Sequence, residues 1–447
     1  MKEAIRRPAP AIAVPRCLGP VTATLVVVAN MIGTGVFTTT GLLLTDIESP
    51  SAVLLAWLLG GVIALAGALC YSELGTSIAR NGGEYRFLTE LIHPAVGFAA
   101  GWISLVVGFS APIAASALAF GIYVHVLFPG VPPLASGLVL VALLSALHGT
   151  RVETGTRIQN GLTVLKILLI VGFVAAAIFV IPSHSLVRLS GFGPEVFSAP
   201  FAVMVVSVSF AYSGWNGAAY LVGEMRRPGK HLPIALGLGT AVVTLLYLGF
   251  NAVVLLGTPI GKLVGTIDVG YVATVGLFGE KAGLLLSLLI ALVLMSSESA
   301  MIMVGARVYE AMGEDYPALR LLRLRRRGGG PVFAIALQGL LAAGLLLTLT
   351  FQALLVYIGL TLSVFAGLTV VALFLHRRRC PCDDGGNRVW GYPVTPLVFL
   401  GFTGWWVVRC IVERPIEAIL SGLTVAVGLA LYAGVKRLGV PPACKET

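Results

Sequence analysis

Charge is what this chain has least of. Only 11% of its 447 residues are Asp, Glu, Lys or Arg, against about 25% in soluble globular chains. That deficit excludes a soluble globular protein. Cysteine is scarce and scattered, at Cys17, Cys70, Cys380, Cys382, Cys410 and Cys444. Cys380-Pro-Cys382 lacks the further ligands of a zinc site, so ordinary reduced thiols are expected. The six histidines form no ligand cluster, and no nucleophile, base and acid stand together. No metal, no cofactor and no enzyme activity are expected. The first 19 residues are basic and lack a signal-peptide core or a small-residue cleavage site, so insertion is expected to use the first apolar span.

What is present is apolar sequence, 57% of the chain. A scan with a window of about 19 residues gives twelve spans, at 20–44, 51–74, 95–127, 134–149, 157–181, 198–222, 233–257, 273–305, 332–350, 353–375, 393–411 and 415–435. The expected fold is all-α and integral to the lipid bilayer, with twelve transmembrane helices. With the N-terminus inside, the inner loops hold 24 of the 30 basic residues and the outer loops five, the last being Lys166 within a span. This asymmetry places both termini in the cytoplasm, as expected for a multi-pass protein of the cell membrane. The net charge of +10 is therefore a topology signal, and no nucleic-acid partner is expected.

Two spans interrupt themselves. The first reads VTATLVVVANMIGTGVFTTTGLLL (21–44), with a break expected near Gly33–Gly35. The sixth reads PFAVMVVSVSFAYSGWNGAAYLVGE (200–224), with a break near Tyr212–Gly217. Five spans per block is an odd number, so the second block runs inverted, and matched broken helices in inverted halves mark a transporter site. The expected plan is a 5+5 inverted repeat: cytoplasmic segment 1–19, repeat one 20–181, repeat two 198–376, two extra helices in 391–437 and a cytoplasmic tail 438–447. Gly60, Gly61 and Gly67 read as helix-packing glycines.

A broken helix frees backbone N–H groups at the positive end of one half and carbonyls at the negative end of the other. Facing lipid, each would cost several kcal/mol. A ligand bearing a carboxylate beside an ammonium satisfies both sets, and glycine lets an anion approach the N–H groups.

These residues also carry a resemblance. MIGTGVF (31–37) resembles the I-G-[ST]-G-[IV]-F signature of the amino acid–polyamine–organocation (APC) transporter superfamily. FAYSGWN (210–216) is similar to the span-six motif of its L-type exchanger branch and prokaryotic relatives. NGGEYRFL (81–88), GEMRRPGKHLPIAL (223–236) and ARVYEAMGEDYPAL (306–319) resemble three further family segments, in order. The resemblance implies the LeuT-like inverted repeat with discontinuous helices one and six. It implies that Gly33, Thr34 and Gly35 cradle a substrate carboxylate, and that the carbonyls of Met31, Phe210 and Ser213 receive its ammonium, Ala211 standing among them. Phe210 would act as a gating aromatic and Trp215 as a gating or a packing one, plain packing being the alternative for both rings, and Asn30 reads as a ligand contact or a helix cap.

Lys166 lies nine residues past Arg157, about 14 Å up a helix and near mid-membrane. An intramembrane lysine is a functional hypothesis by default. In several APC members a span-five lysine stands where sodium-coupled relatives hold a cation, which implies sodium-independent transport, with Ala29, Ile32 and Ser297 as its neighbours. Glu298 departs from the family pattern. It is left as a partner of Lys166, a proton carrier, an attractor of cationic substrate or a protonated structural group. Glu73 reads as structural, at a span end where it reaches water. The uncharged LVVGFSAPIAA (105–115) favours neutral amino acids. The activity expected is alternating-access transport by proton symport or exchange. A sensor without transport and a sodium symporter of the same fold are the alternatives. The eukaryotic exchangers that the chain resembles pair with a glycoprotein through a cysteine in the loop after span three; here that loop, FPGVPPL (128–134), has none, so the resemblance supports no covalent partner subunit.

Overall fold

The computed structural model describes residues 18–150, 155–181, 191, 193–325, 330–379 and 388–437, the side chains of 150 and 155–159 excepted. The Arg326–Arg327 pair, Cys17, Cys380, Cys382, Cys444 and the two terminal segments lie largely or wholly outside these. The described residues form helices α1 (Pro20–Met31), α2 (Thr34–Asp46), α3 (Pro50–Ser77), α4 (Glu84–Leu91), α5 (Pro94–Ile103), α6 (Ala111–Leu127), α7 (Pro133–Thr150), α8 (Gly155–Ile178), α9 (Ala199–Ala211), α10 (Pro228–Gly257), α11 (Ile260–Leu263), α12 (Val269–Phe278), α13 (Glu280–Asp315), α14 (Val332–Thr348), α15 (Phe351–Arg379), α16 (Val394–Glu413) and α17 (Pro415–Arg437). There is no sheet among them. Among the described residues, nine spans are long and apolar enough to cross a membrane, and four shorter apolar helices accompany them.

Local chemistry starts these helices. Proline stands in the first turn of α1, α3, α5, α9 and α10, where its missing N–H costs nothing. Ser49 and Ser198 cap α3 and α9 by accepting from Ala52 N and Phe201 N, as short hydroxyls do at helix starts. α5 runs through a π-helical turn, Ser104–Ser110, into α6.

Both expected interruptions are present as geometry. α1 stops at Met31 and α2 starts at Thr34, so the gap is Ile32–Gly33, shorter than expected, and Thr34 and Gly35 are already helical. After α9 the chain turns through Tyr212–Asn216 into a 3₁₀ segment, Gly217–Glu224. Gly214 has φ +95°, a conformation glycine adopts without steric cost. The expected eighth span, 273–305, is corrected: Gly279, at φ +86°, divides it into α12 and α13. α1 packs on α10, α8 and α13, while α2 packs on α9 and α12, and α3 and α16 flank α9. The two interruptions thereby meet in the centre.

Candidate functional site

Close backbone approach brings the breaks together. A Cβ on Gly35 would lie 2.4 Å from Ala211 Cα, and one on Gly214 would lie 2.7 Å from the Asn30 carbonyl oxygen. Only glycine allows these contacts. Beside them opens a cavity enclosing about 940 Å³, its mouth included. Phe210, Ser213 and Trp215 line it with Asn30 and Asn216. The π-helical turn contributes Gly108 and Phe109, and Gly60, Gly359 and Thr403 come from α3, α15 and α16. Gly60 therefore serves the cavity as well as packing against Val208 and Tyr212.

Lys166 is fully buried. Its Nζ donates to the carbonyls of Ala29 at 3.4 Å and Ile32 at 3.3 Å, and contacts Ser297 Oγ at 2.6 Å. Ser297 Oγ also lies 2.7 Å from Ile32 O. The ammonium thus sits at the negative end of α1, where unpaired carbonyls concentrate. Its three expected neighbours are its three partners. Pairing with Glu298 is not among its contacts, and that expectation is corrected. Glu298 is fully buried, and neither carboxyl oxygen has a hydrogen-bond partner among the described residues. Glu298 follows Ser297 on α13, and the helical advance of about 100° per residue turns it away from the lysine.

The remaining expected site residues divide. Gly33 is half-buried, and a Cβ there would meet nothing closer than Ser297 at 3.9 Å, so space lies over its backbone. Thr34 is buried and its carbonyl accepts from Thr38 Oγ1. Met31 is buried, and its carbonyl accepts from the Tyr247 hydroxyl, which also lies 3.1 Å from the Ala211 carbonyl. The Phe210 carbonyl already accepts from Ser213 N at 2.8 Å. Met31, Gly33, Thr34, Gly35 and Ala211 do not line the cavity itself, whereas Phe210, Ser213 and Trp215 do. Trp215 stacks edge-on against Tyr71 at 4.7 Å. Asn30 Nδ2 donates back to Val26 O at 2.8 Å.

Sequence reasoning missed Tyr247, which ties the end of α1 to the end of α9. It stands four residues before Asn251, which contacts Thr40, itself the acceptor for Trp57 Nε1 at 3.0 Å. Two polar residues at i and i+4 in the apolar run YLGFNAVVLL were the available signal, since they share one helix face.

Three of the motif segments converge on one another, and one of them reaches the cavity. Asn81 accepts from Gly223 N at 2.9 Å and donates to Glu224 at 3.4 Å. Glu224 pairs with Arg307 at 3.5 Å, and Arg86 with Asp315. Glu84, in the first of these segments, lines the cavity, and its Oε1 accepts from Tyr71 Oη at 2.7 Å and Asn216 Nδ2 at 3.0 Å. Glu73 does not reach water as expected. It is buried, paired with Arg377 at 2.6 Å and bonded to Val389 N, which gives its structural role a partner.

Comparison with known proteins gives a consistent picture. A family model described as amino acid permease matches residues 18–416. The serine/threonine exchanger SteT of Bacillus subtilis is 28% identical over 427 residues, 94% of this chain and 97% of that one. Large neutral amino acids transporter small subunit 2 of Mus musculus is 27% identical, covering 94% of this chain and 80% of its own. The b(0,+)-type amino acid transporter 1 of Homo sapiens is 25% identical, over 80% and 76% respectively.

Proposed function

This chain belongs to the amino acid permease family of multi-pass membrane transporters, which are not enzymes, and from that premise we propose that it carries neutral amino acids across the cell membrane by alternating access. The reading includes twelve spans, a five-plus-five inverted repeat, discontinuous first and sixth spans, and both termini in the cytoplasm. One observation carries it: the breaks after Met31 and Ala211 touch each other beside a cavity. In the proposed complex the substrate carboxylate meets the N–H groups opening α2 at Gly33, Thr34 and Gly35, where the helix end favours an anion. The ammonium meets the carbonyl end of α9 at Phe210, Ala211 and Ser213, with Met31 alongside. Phe210 and Trp215 close over it.

Neutral substrates are favoured because no Lys, Arg or His is among the described residues lining the cavity, and its one carboxyl, Glu84, is engaged by Tyr71 and Asn216 rather than free for a cationic side chain. Sodium independence is favoured because the Lys166 ammonium occupies the carbonyl end of α1 and engages Ser297. A monovalent cation there would meet a like charge. The named activities of the relatives, serine/threonine exchange and large neutral amino acid transport, agree with this class. No covalent partner chain is included, since 128–134 contains no cysteine.

The test is uptake and counterflow of radiolabelled L-amino acids in proteoliposomes, with and without sodium. Transport independent of sodium is expected. Binding without accumulation or exchange would leave a sensor, and sodium-stimulated uptake that survives Lys166→Ala would leave a sodium symporter.

A further inference from the structure

We propose that Glu84 is the coupling site of this transporter, binding a proton while the cytoplasmic side is closed and releasing it when that side opens. The inference rests on the transport reading above and names its driving ion. Glu84 opens α4, the short helix between α3 and α5, directly after Gly82 and Gly83, whose φ values of +121° and +52° turn the chain under the cavity. Its side chain is 4% exposed and lines the cavity. Oε1 takes both available donors, Tyr71 from α3 and Asn216 from the second break. The carboxyl is thereby tied to the element expected to move.

No cation pairs with it among the described residues. Of the charged groups around α4, Arg86 is held by Asp315 of α13, and Arg80 by Glu90. From α15, Arg377 is held by Glu73 of α3, and Arg379 donates to the Leu91 carbonyl. In the 3₁₀ segment Glu224 is paired with Arg307, while Tyr220 contacts Asn216. α5 has no titratable residue, and His93 at its start accepts from Ala95 N. Tyr85 is spent on Asp315. Burial without a counter-charge disfavours the ionised form, and it pushes the Glu84 carboxyl up to about 7, against the opposing bonds from Tyr71 and Asn216.

The sign follows. A raised value means the buried conformation binds the proton more tightly than a hydrated one. Parting Asn216 and Tyr71 from Glu84 admits water and returns it toward the ordinary value of about 4.3, so the proton leaves to the cytoplasm. A proton gradient of one unit then sustains about tenfold accumulation of a neutral substrate carried with one proton.

The experiment uses the full chain in proteoliposomes with a radiolabelled mixture of protein L-amino acids. It measures accumulation driven by an imposed inward proton gradient, and counterflow at equal pH. In the wild type both are expected. In Glu84→Gln, accumulation is expected to fall about tenfold, to the undriven level, while counterflow persists. Tyr71→Phe removes a donor to the ionised form, and the pH midpoint of driven uptake is expected to move alkaline. Should Glu84→Gln fail to insert, the Tyr71→Phe midpoint decides, and an unmoved midpoint overturns the proposal. Gradient-driven accumulation surviving Glu84→Gln also overturns it. Wild-type counterflow without any gradient-driven accumulation overturns it alone and leaves transport standing. Absence of both activities in the wild type removes the transport reading itself.

Discussion

The chain is interrupted twice in mid-span, and the two interruptions are finished differently. At Ile32–Gly33 the carbonyls ending α1 are met by the protein: Ala29 and Ile32 by Lys166, Ile32 again by Ser297, and Met31 by Tyr247. At Tyr212–Asn216 the chain borders an open cavity, with Phe210, Ser213, Asn216 and Trp215 along its wall. A freed carbonyl must find a partner inside a low-dielectric interior. The carbonyl side of the first break finds its partners within the fold and is suited to act as a fixed point, which leaves its N–H side at Gly33 for a ligand. The second break borders the cavity, so it is suited to receive the other end of that ligand and to move.

Removing the internal cation tests this contrast most severely. Lys166→Ala strips two carbonyls and Ser297 of a charged donor, and about 3 kcal/mol of stability should go with it. Transport should fall at least about a hundredfold if the fixed point is lost. Thermal unfolding in detergent and proteoliposome uptake check both. Survival of transport would show that the first break needs no cation.

The glycines give the next largest effect, and they should separate. Gly35→Val puts side-chain atoms into Ala211 across the contact between the half-helices, and should destabilise by about 1–3 kcal/mol. Gly33→Val enters open space, so the protein should insert and unfold near the wild-type temperature but lose amino-acid binding, read by a ligand-induced thermal shift. Equal behaviour of the two would erase the distinction between the joint and the site.

A smaller effect is expected from Tyr247→Phe. It removes the hydroxyl shared by the ends of α1 and α9, at about 1 kcal/mol, and should slow transport while leaving equilibrium binding within a few-fold. The smallest belongs to Glu298→Gln. A carboxyl without a hydrogen-bond partner among the described residues loses no bond on amidation and gains one buried donor, so stability should fall by only about 1 kcal/mol. Unchanged pH dependence and substrate range would then assign Glu298 a structural role, whereas a changed pH profile would move the proton away from Glu84.

Much of this arrangement is legible in the sequence itself. The apolar spans, the glycine-bearing gaps and the buried lysine are properties of short windows, because helix length, backbone freedom and membrane depth are set residue by residue. The gap boundary at Gly33 and the division at Gly279 are less legible, since neighbouring glycines look alike in a window and only one of them ends a helix. Tyr247 was not readable as a bridge: its partners Met31 and Ala211 are 216 and 36 residues away. Glu84 was visible in NGGEYRFL, but its burial between Tyr71 and Asn216 was not.

The linear order of residues thus carried the repeated apolar spans, the two glycine-bearing stretches where a helix break is expected, and a lysine deep within an apolar span. Packing settled which freed carbonyls the protein keeps for itself and which border a cavity. Helix breaks follow from local backbone chemistry. The occupant of each break depends on which side chain arrives from hundreds of residues away, as Lys166 does at Ile32 from 134 residues and Ser297 from 265.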